Sequence, residues 1–213
     1  MYKKYIKRIL DVLISGIGML VLSGVYLVVA LVVLIFLGRP ILYSQERIGK
    51  GGKPFKLYKF RSMTNATDEN GNLLDEQQRL TKIGTLLRSL SVDELPELWS
   101  IFKGDMSIVG PRPLPTYYGP YFTEEEYKRH DVLGGLVPPD GLCGETTPKW
   151  EIQFKFDLEY VQNISFLLDL KVIYATLRIL VKRVLNNYGA EDRPHLNEYR
   201  AEVTMEEKVT EKV

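Results

Sequence analysis

A single cysteine, Cys143, and two separated histidines, His130 and His195, leave this 213-residue chain little metal or redox chemistry. One cysteine makes no intramolecular disulfide and no CxxC motif, and two isolated histidines do not make a zinc site. A reducing, cytoplasmic setting follows, with Cys143 read as a passive loop thiol. Internal repeats and low-complexity segments are also missing. Net charge is nearly absent at +1, but the balance conceals an uneven layout. Residues 1–61 hold eleven Lys and Arg against two acids, Asp11 and Glu46, while the remainder is acidic. The longest apolar run lies in the same basic part, a pairing that selects a membrane surface over nucleic acid as partner.

That run, Val12–Leu37, contains no charged residue. As a helix its 26 residues would extend about 39 Å, beyond the ~30 Å hydrocarbon thickness of a bilayer. It is too long for a secretory signal, and no A-x-A-like site follows it. Basic residues flank both ends: Lys3, Lys4, Lys7 and Arg8 before, Arg39 and a further series through Arg61 after. Positive flanks face the cytoplasm, so two of them fit a re-entrant helix better than a crossing one. Re-entry needs a bend, and Ser23-Gly24 stands near the middle, a pair able to kink a helix.

Beyond Pro40, ILYSQERI and FKLYKFRSM read as two strands joined by GKGGKP. Residues 64–78 read as a loop, RLTKIGTLLRSL as a helix, and DELPELWSIF as the start of another. KGDMSIVGPRPLP gives a short extended piece closed by a proline-rich turn, and TEEEYKRHDV a short helix. Lys149 to Leu185 reads as mostly helical, with a break and cap at Asn163-Ile164-Ser165. In its last part Lys171, Arg178 and Lys182 face away from Ile173, Leu177, Leu180, Val181 and Val184. That pattern suits a surface helix against lipid headgroups and a core helix equally. The charged tail after Tyr188 lacks apolar period and reads as irregular. The expected fold class is α+β, a mainly helical cytoplasm-facing domain with a short β-hairpin. Its expected divisions are a membrane helix at 1–38, a catalytic domain at 39–188 and a charged tail at 189–213.

The stretch SVDELPELW admits two readings. Ser91 with Glu94 three residues later is a capping-box pattern at a helix start. Alternatively Asp93 and Glu94 do chemistry. Phosphoryl transfer needs cations around a diphosphate, a metal bridging its oxygens, and a group that attacks phosphorus. Lys59 and Arg61 close a strand, Arg88 precedes the dyad, and Arg112 is held between prolines in GPRP. Each of these alone is more often a solvated surface charge. A carboxylate at that helix start can attack phosphorus and form an acyl phosphate, and its neighbour can hold Mg2+.

Together KFRSM, LLRSLSVDELPELWSIFKGDMSIVGPRP, RHDV and FDLEYVQNISFLLDLKVI resemble the bacterial sugar transferase family, the small monotopic phosphoglycosyl transferases. The similarity runs from about Met1 to Val184, best between Lys59 and Arg112. It implies transfer of a sugar 1-phosphate from a UDP-sugar to undecaprenyl phosphate, with release of UMP, Mg2+ as cofactor and a covalent aspartyl intermediate. It also implies a re-entrant helix in the bacterial inner membrane with the catalytic domain on the cytoplasmic side, early in glycan assembly.

By resemblance Asp93 is the nucleophile and Glu94 its metal-binding partner; Lys59, Arg88 and Arg112 surround the phosphates. Asp157 and Asp169 are two further acids near the site, though surface acids of a helix fit them as well. Lys7 and Arg8 form a basic pair at the membrane boundary, and a homodimer is left open.

The chain departs from the family at Ser23-Gly24, where Ser-Pro is usual. It departs again in residues 134–150, where Glu145 stands in the place of an arginine thought to contact the sugar nucleotide. That reversal puts the donor's identity in doubt. Two rivals remain: a membrane-tethered hydrolase using the same aspartate, and a non-catalytic scaffold for glycan assembly.

Overall fold

The computed structural model describes residues 1–185, 193–201 and 203. Mostly helical with two small sheets, the fold is α+β. A wide turn, Tyr2–Ile6, leads into α1 (Lys7–Val21), and α2 (Ser23–Leu37) follows. The chain bends by 63° between them at Leu22, one residue before the Ser23-Gly24 pair. Among the described residues no single helix is long and apolar enough to cross a membrane; only the bent pair, taken together, meets that test. Much of the pair's apolar surface is uncovered, including Ile17, Leu20, Val21, Leu27, Ile35 and Phe36. One stripe of α2 is covered: Val29 and Val33 pack with Phe60 and Leu87.

Strands β1 (Leu42–Ile48) and β2 (Pro54–Phe60) form the antiparallel hairpin expected from sequence, in register from Leu42 opposite Phe60 to Ile48 opposite Pro54. Its turn places Gly51 and Gly52 at φ of 66° and 77°, where a side chain would be strained. The expected loop at 64–78 carries only the start of α3 (Glu76–Arg79). α4 (Lys82–Ser89) is capped by Thr81, whose hydroxyl accepts from the Gly84 amide at 3.0 Å. α5 (Glu97–Lys103) precedes β3 (Met106–Val109). After α6 (Glu124–Tyr127), β4 (Gly134–Val137) pairs with β3 in parallel, a strand not expected from sequence. The glycines permit that pairing: a Cβ on Gly135 would stand 2.1 Å from the Gly110 nitrogen.

α7 (Trp150–Asn163) and α8 (Phe166–Leu185) are separated at the expected break, and the Ser165 hydroxyl accepts from the Leu168 amide. α8 divides its apolar residues between two faces. Val172 and Ile179 are buried, whereas Phe166, Leu170, Tyr174, Leu177 and Val181 form an exposed stripe.

The tail expectation fails in part. Residues 196–201 are helical, and Leu196 is fully buried against Leu114, Tyr118, Trp150 and Phe154. An apolar side chain within a charged run anchors the segment in the core. The remainder of the tail lies outside the described residues.

Candidate active site

α1 is tied to the domain by charged contacts. Arg8 donates to the carbonyls of Ile101 and Phe102 at 2.6 and 2.9 Å, closing the C-terminal end of α5. Lys7 pairs with Asp169 at 2.7 Å. Asp11, buried, accepts from the Ile108 amide of β3 at 2.9 Å. The basic pair read as a membrane-boundary feature therefore also joins helix to domain.

The capping-box reading of SVDELPELW does not hold. Ser91 takes a left-handed conformation at φ 53° and its side chain caps nothing. Val92–Glu94 forms a single 3-10 turn, and α5 begins only after Pro96. Proline has no N–H to donate and no free φ, so it starts the new helix three residues past the dyad. A further contact fixes the turn from outside, where the Tyr26 hydroxyl of α2 donates to the Leu95 carbonyl.

The dyad lines a cleft of about 840 Å³, which Lys59, Arg88 and Arg112 also line. Lys59 reaches it from the end of β2 and is held between Glu94 at 2.7 Å and Glu97 at 3.1 Å. Arg112 pairs with the same Glu94 oxygen. Arg88 donates from Nε to the Ser62 hydroxyl at 3.0 Å, an arrangement that fixes its position beside the cleft. Asp93 is only 7% exposed. Burial first, then the charge of Glu94, pushes its carboxyl up to about 6, against the pull of Lys59, Arg88 and Arg112. Burial works to raise Glu94 too, but Arg112 and Lys59 outweigh it and hold that carboxyl well below its usual range. Two adjacent acids thus have opposed characters, one fixed as an anion within a cationic pair, the other poised near neutrality.

Mg2+ takes hard oxygens, often one or two carboxylates completed by substrate phosphates. Both cations on Glu94 engage Oε1, so Oε2 is the oxygen that would meet a metal ion. Among the described residues no three acid, histidine or cysteine side chains gather into a cage. The donor set fits a magnesium ion that shares its coordination with a diphosphate.

Asp157 and Asp169 do not line the cleft. Asp157 is fully buried, and one of its oxygens accepts from Arg129 Nε and Nη2 at 2.9 and 2.6 Å. Arg129 also donates to the Arg112 carbonyl, so the pair supports the GPRP turn from behind. Asp169 receives the Tyr2 and Tyr160 hydroxyls as well as Lys7, joining the N-terminus to α7 and α8. Ser23 and Gly24 open α2 and do not line the cleft, whereas Glu145 does. Sequence reasoning overlooked Glu97, whose spacing of one helical turn from Asp93 was the available signal. It also overlooked Ser62, Asp140 and Arg193.

The bacterial sugar transferase family model matches residues 2–183. Over 195 residues the chain is 42% identical to the uncharacterized sugar transferase EpsL of Bacillus subtilis, covering 92% of this chain and 95% of that protein. A putative undecaprenyl-phosphate N-acetylgalactosaminyl 1-phosphate transferase of the same organism is 42% identical over 155 residues, 72% of this chain and 82% of that one. The UDP-glucose:undecaprenyl-phosphate glucose-1-phosphate transferase of Klebsiella pneumoniae is 36% identical over 186 residues, 80% of this chain but 39% of that much longer protein.

Proposed function

Since this chain belongs to the bacterial sugar transferase family of phosphoglycosyl transferases, we propose that it transfers a sugar 1-phosphate from a UDP-sugar to undecaprenyl phosphate. The observation that carries this reading is a buried carboxyl, Asp93, raised toward neutrality on the wall of a cleft lined by Lys59, Arg88 and Arg112.

In the first half-reaction an Asp93 oxygen attacks the phosphorus that bears the sugar. A bond forms between the carboxylate and phosphorus, the bond to the bridging diphosphate oxygen breaks, and UMP leaves. Lys59, Arg88 and Arg112 receive the phosphate charges, and Glu94 keeps Lys59 and Arg112 in place before the donor arrives. Glu94, beside the nucleophile, would help hold a Mg2+ ion, which would supply charge neutralisation across the diphosphate. In the second half-reaction a phosphate oxygen of the acceptor attacks the same phosphorus, and Asp93 is released as the carboxylate.

The acceptor's polyprenyl chain stays in lipid, so the cleft has to sit at headgroup depth. The uncovered apolar residues of the bent α1–α2 pair support its insertion into the cytoplasmic membrane as a re-entrant hairpin, with the domain on the cytoplasmic side. The exposed stripe of α8 supports a second contact with the same surface.

Incubating the protein with a UDP-sugar and Mg2+ but no acceptor should leave a sugar-phosphate adduct on Asp93, visible by intact and peptide mass spectrometry. Asp93→Asn should release no UMP. Product that accumulates with no adduct on that residue, or turnover by the variant, would overturn the mechanism. Release of free sugar 1-phosphate without acceptor would favour the hydrolase instead.

A further inference from the structure

The cleft extends well beyond the dyad, and its far wall has a different chemistry. Around Asp93 and Glu94 the lining is cationic, as a diphosphate requires. On the side formed by α7, α8 and the segment beyond them, the lining includes Asp140, Gln153, Thr176 and Arg193. These groups supply a carboxylate acceptor, an amide, a hydroxyl and a guanidinium within one wall.

The arrangement is built. Arg193 comes from the charged tail and stacks on the Trp150 ring, 3.5 Å from its centroid. Its Nη1 donates to the Pro148 carbonyl at 2.6 Å and to Gln153 Oε1 at 3.0 Å. The flanking residues fasten it: Trp150 Nε1 donates to the Pro194 carbonyl, the Tyr118 hydroxyl bonds His195 Nδ1 at 2.8 Å, and Leu196 is buried in the core. Because Arg193 donates to Oε1, the Gln153 amide is fixed with Nε2 as its free donor. Gln153 is 2% exposed, and Nε2 is buried with no partner. Thr176 Oγ1 is likewise buried without a partner. A buried donor without an acceptor is costly, and a ligand that supplies one recovers that cost. Asp140 is buried beside them, and Arg112 and Arg193 both act on its charge.

We infer that Asp140, Gln153, Thr176 and Arg193 form the subsite for the glycosyl group of the donor, with Arg193 delivered by the segment beyond α8. The inference rests on the donor reading above. A sugar presents several hydroxyls that both donate and accept, which matches this mixed set. A nucleobase needs a ring face to stack on, and the rings lining the cleft, Tyr43 and Phe60, lie on the hairpin across from it. The Trp150 face is already taken by Arg193. The subsite also accounts for Glu145: the cation missing at that position of the chain enters the cleft from the tail.

The test measures binding in Asp93→Asn protein, which separates it from turnover. The probes are UMP and four donors: UDP-glucose, UDP-galactose, UDP-N-acetylglucosamine and UDP-N-acetylgalactosamine, titrated calorimetrically on the full chain in detergent. Adding Arg193→Ala should weaken the best-bound UDP-sugar roughly tenfold or more, the scale of a lost charged hydrogen bond, and leave UMP affinity unchanged. Equal weakening of UMP would place the nucleoside there and overturn the inference, as would no effect on either. If Arg193→Ala melts early, Asp140→Asn, which keeps the volume, carries the same expectations. Failure of UMP release by the unmodified protein would sink the transferase reading but not this one.

Discussion

Replacing Asp93 by asparagine should make the protein more stable as it silences it. The folded state raises this carboxyl from its ordinary 3.8 to about 6, chiefly through burial. A group whose folded pKa is raised favours the fold in its protonated form. That contribution is complete below about pH 4 and is lost as the pH climbs through about 6. That rise is worth about 3 kcal/mol, at about 1.4 kcal/mol for each tenfold change in proton affinity. The attraction of Lys59, Arg88 and Arg112 is already subtracted within that shift, so losing it adds no further penalty. Asparagine has nearly the same shape and cannot ionise. Thermal melts of both proteins in one detergent should therefore nearly coincide below about pH 4, diverge between about pH 4 and 6, and keep a constant gap above that. At about 2–4 °C per kcal/mol for a chain this size, the variant should melt higher by about 6 °C or more at pH 7.5. Glu97, which burial also raises, is common to both proteins and drops out of the difference to first order. A gap that does not vary with pH, or a variant less stable at pH 7.5, would refute the placement of Asp93 as a strained buried acid. UMP release by the unmodified protein should rise across the same window, as the nucleophile ionises.

Ser91→Ala should change stability by less than about 0.5 kcal/mol, because the side chain caps nothing, whereas loss of a true N-cap costs about 1 kcal/mol. Ser91→Gly should stabilise, since glycine takes a positive φ without penalty; denaturant unfolding of the two variants decides both. Arg129→Met leaves Asp157 buried and unpaired, and should cost about 3–5 kcal/mol by the same measurement. The double variant Arg129→Met, Asp157→Leu should recover much of that, and a double variant no better than the single would count against the ion pair. Gly84→Ala would put a methyl 1.8 Å from the Ser62 carbonyl oxygen, and should cut UMP release by disturbing the Ser62–Arg88 contact beside the dyad. Wild-type rates in that variant would show Arg88 to be placed by something else.

What sequence discloses here divides along the range of the contacts involved. The hairpin, the break at Ser165 and the start of α4 are set by residues within a turn of one another, so their signals are local and readable. β4 carries no such signal. Gly134-Gly135 weakens any strand pattern, yet it is required because β3 and the Gly110 turn approach too closely for a Cβ. Asp157 and Asp169 resemble further acids near the family's site, and read equally as surface acids of a helix. Their partners, Arg129 and Lys7, are distant in the chain and turn one into a buttress for the GPRP turn and the other into a clasp on the N-terminus. The dyad and the cap compete for the same letters. Ser91, Asp93, Glu94 and Pro96 stand within six residues, and the same letters spell either a helix start or a buried turn. Only the long-range partners of Glu94, drawn from β2 and the GPRP turn, separate the two. Specificity lies furthest from local reading. The acids proposed to be catalytic lie in one compact stretch, while the wall proposed to select the sugar draws on a 3-10 turn, two helices and a tail arginine held by Trp150, the Pro148 carbonyl and Gln153. On this reading, donor choice would rest on residues that no motif marks.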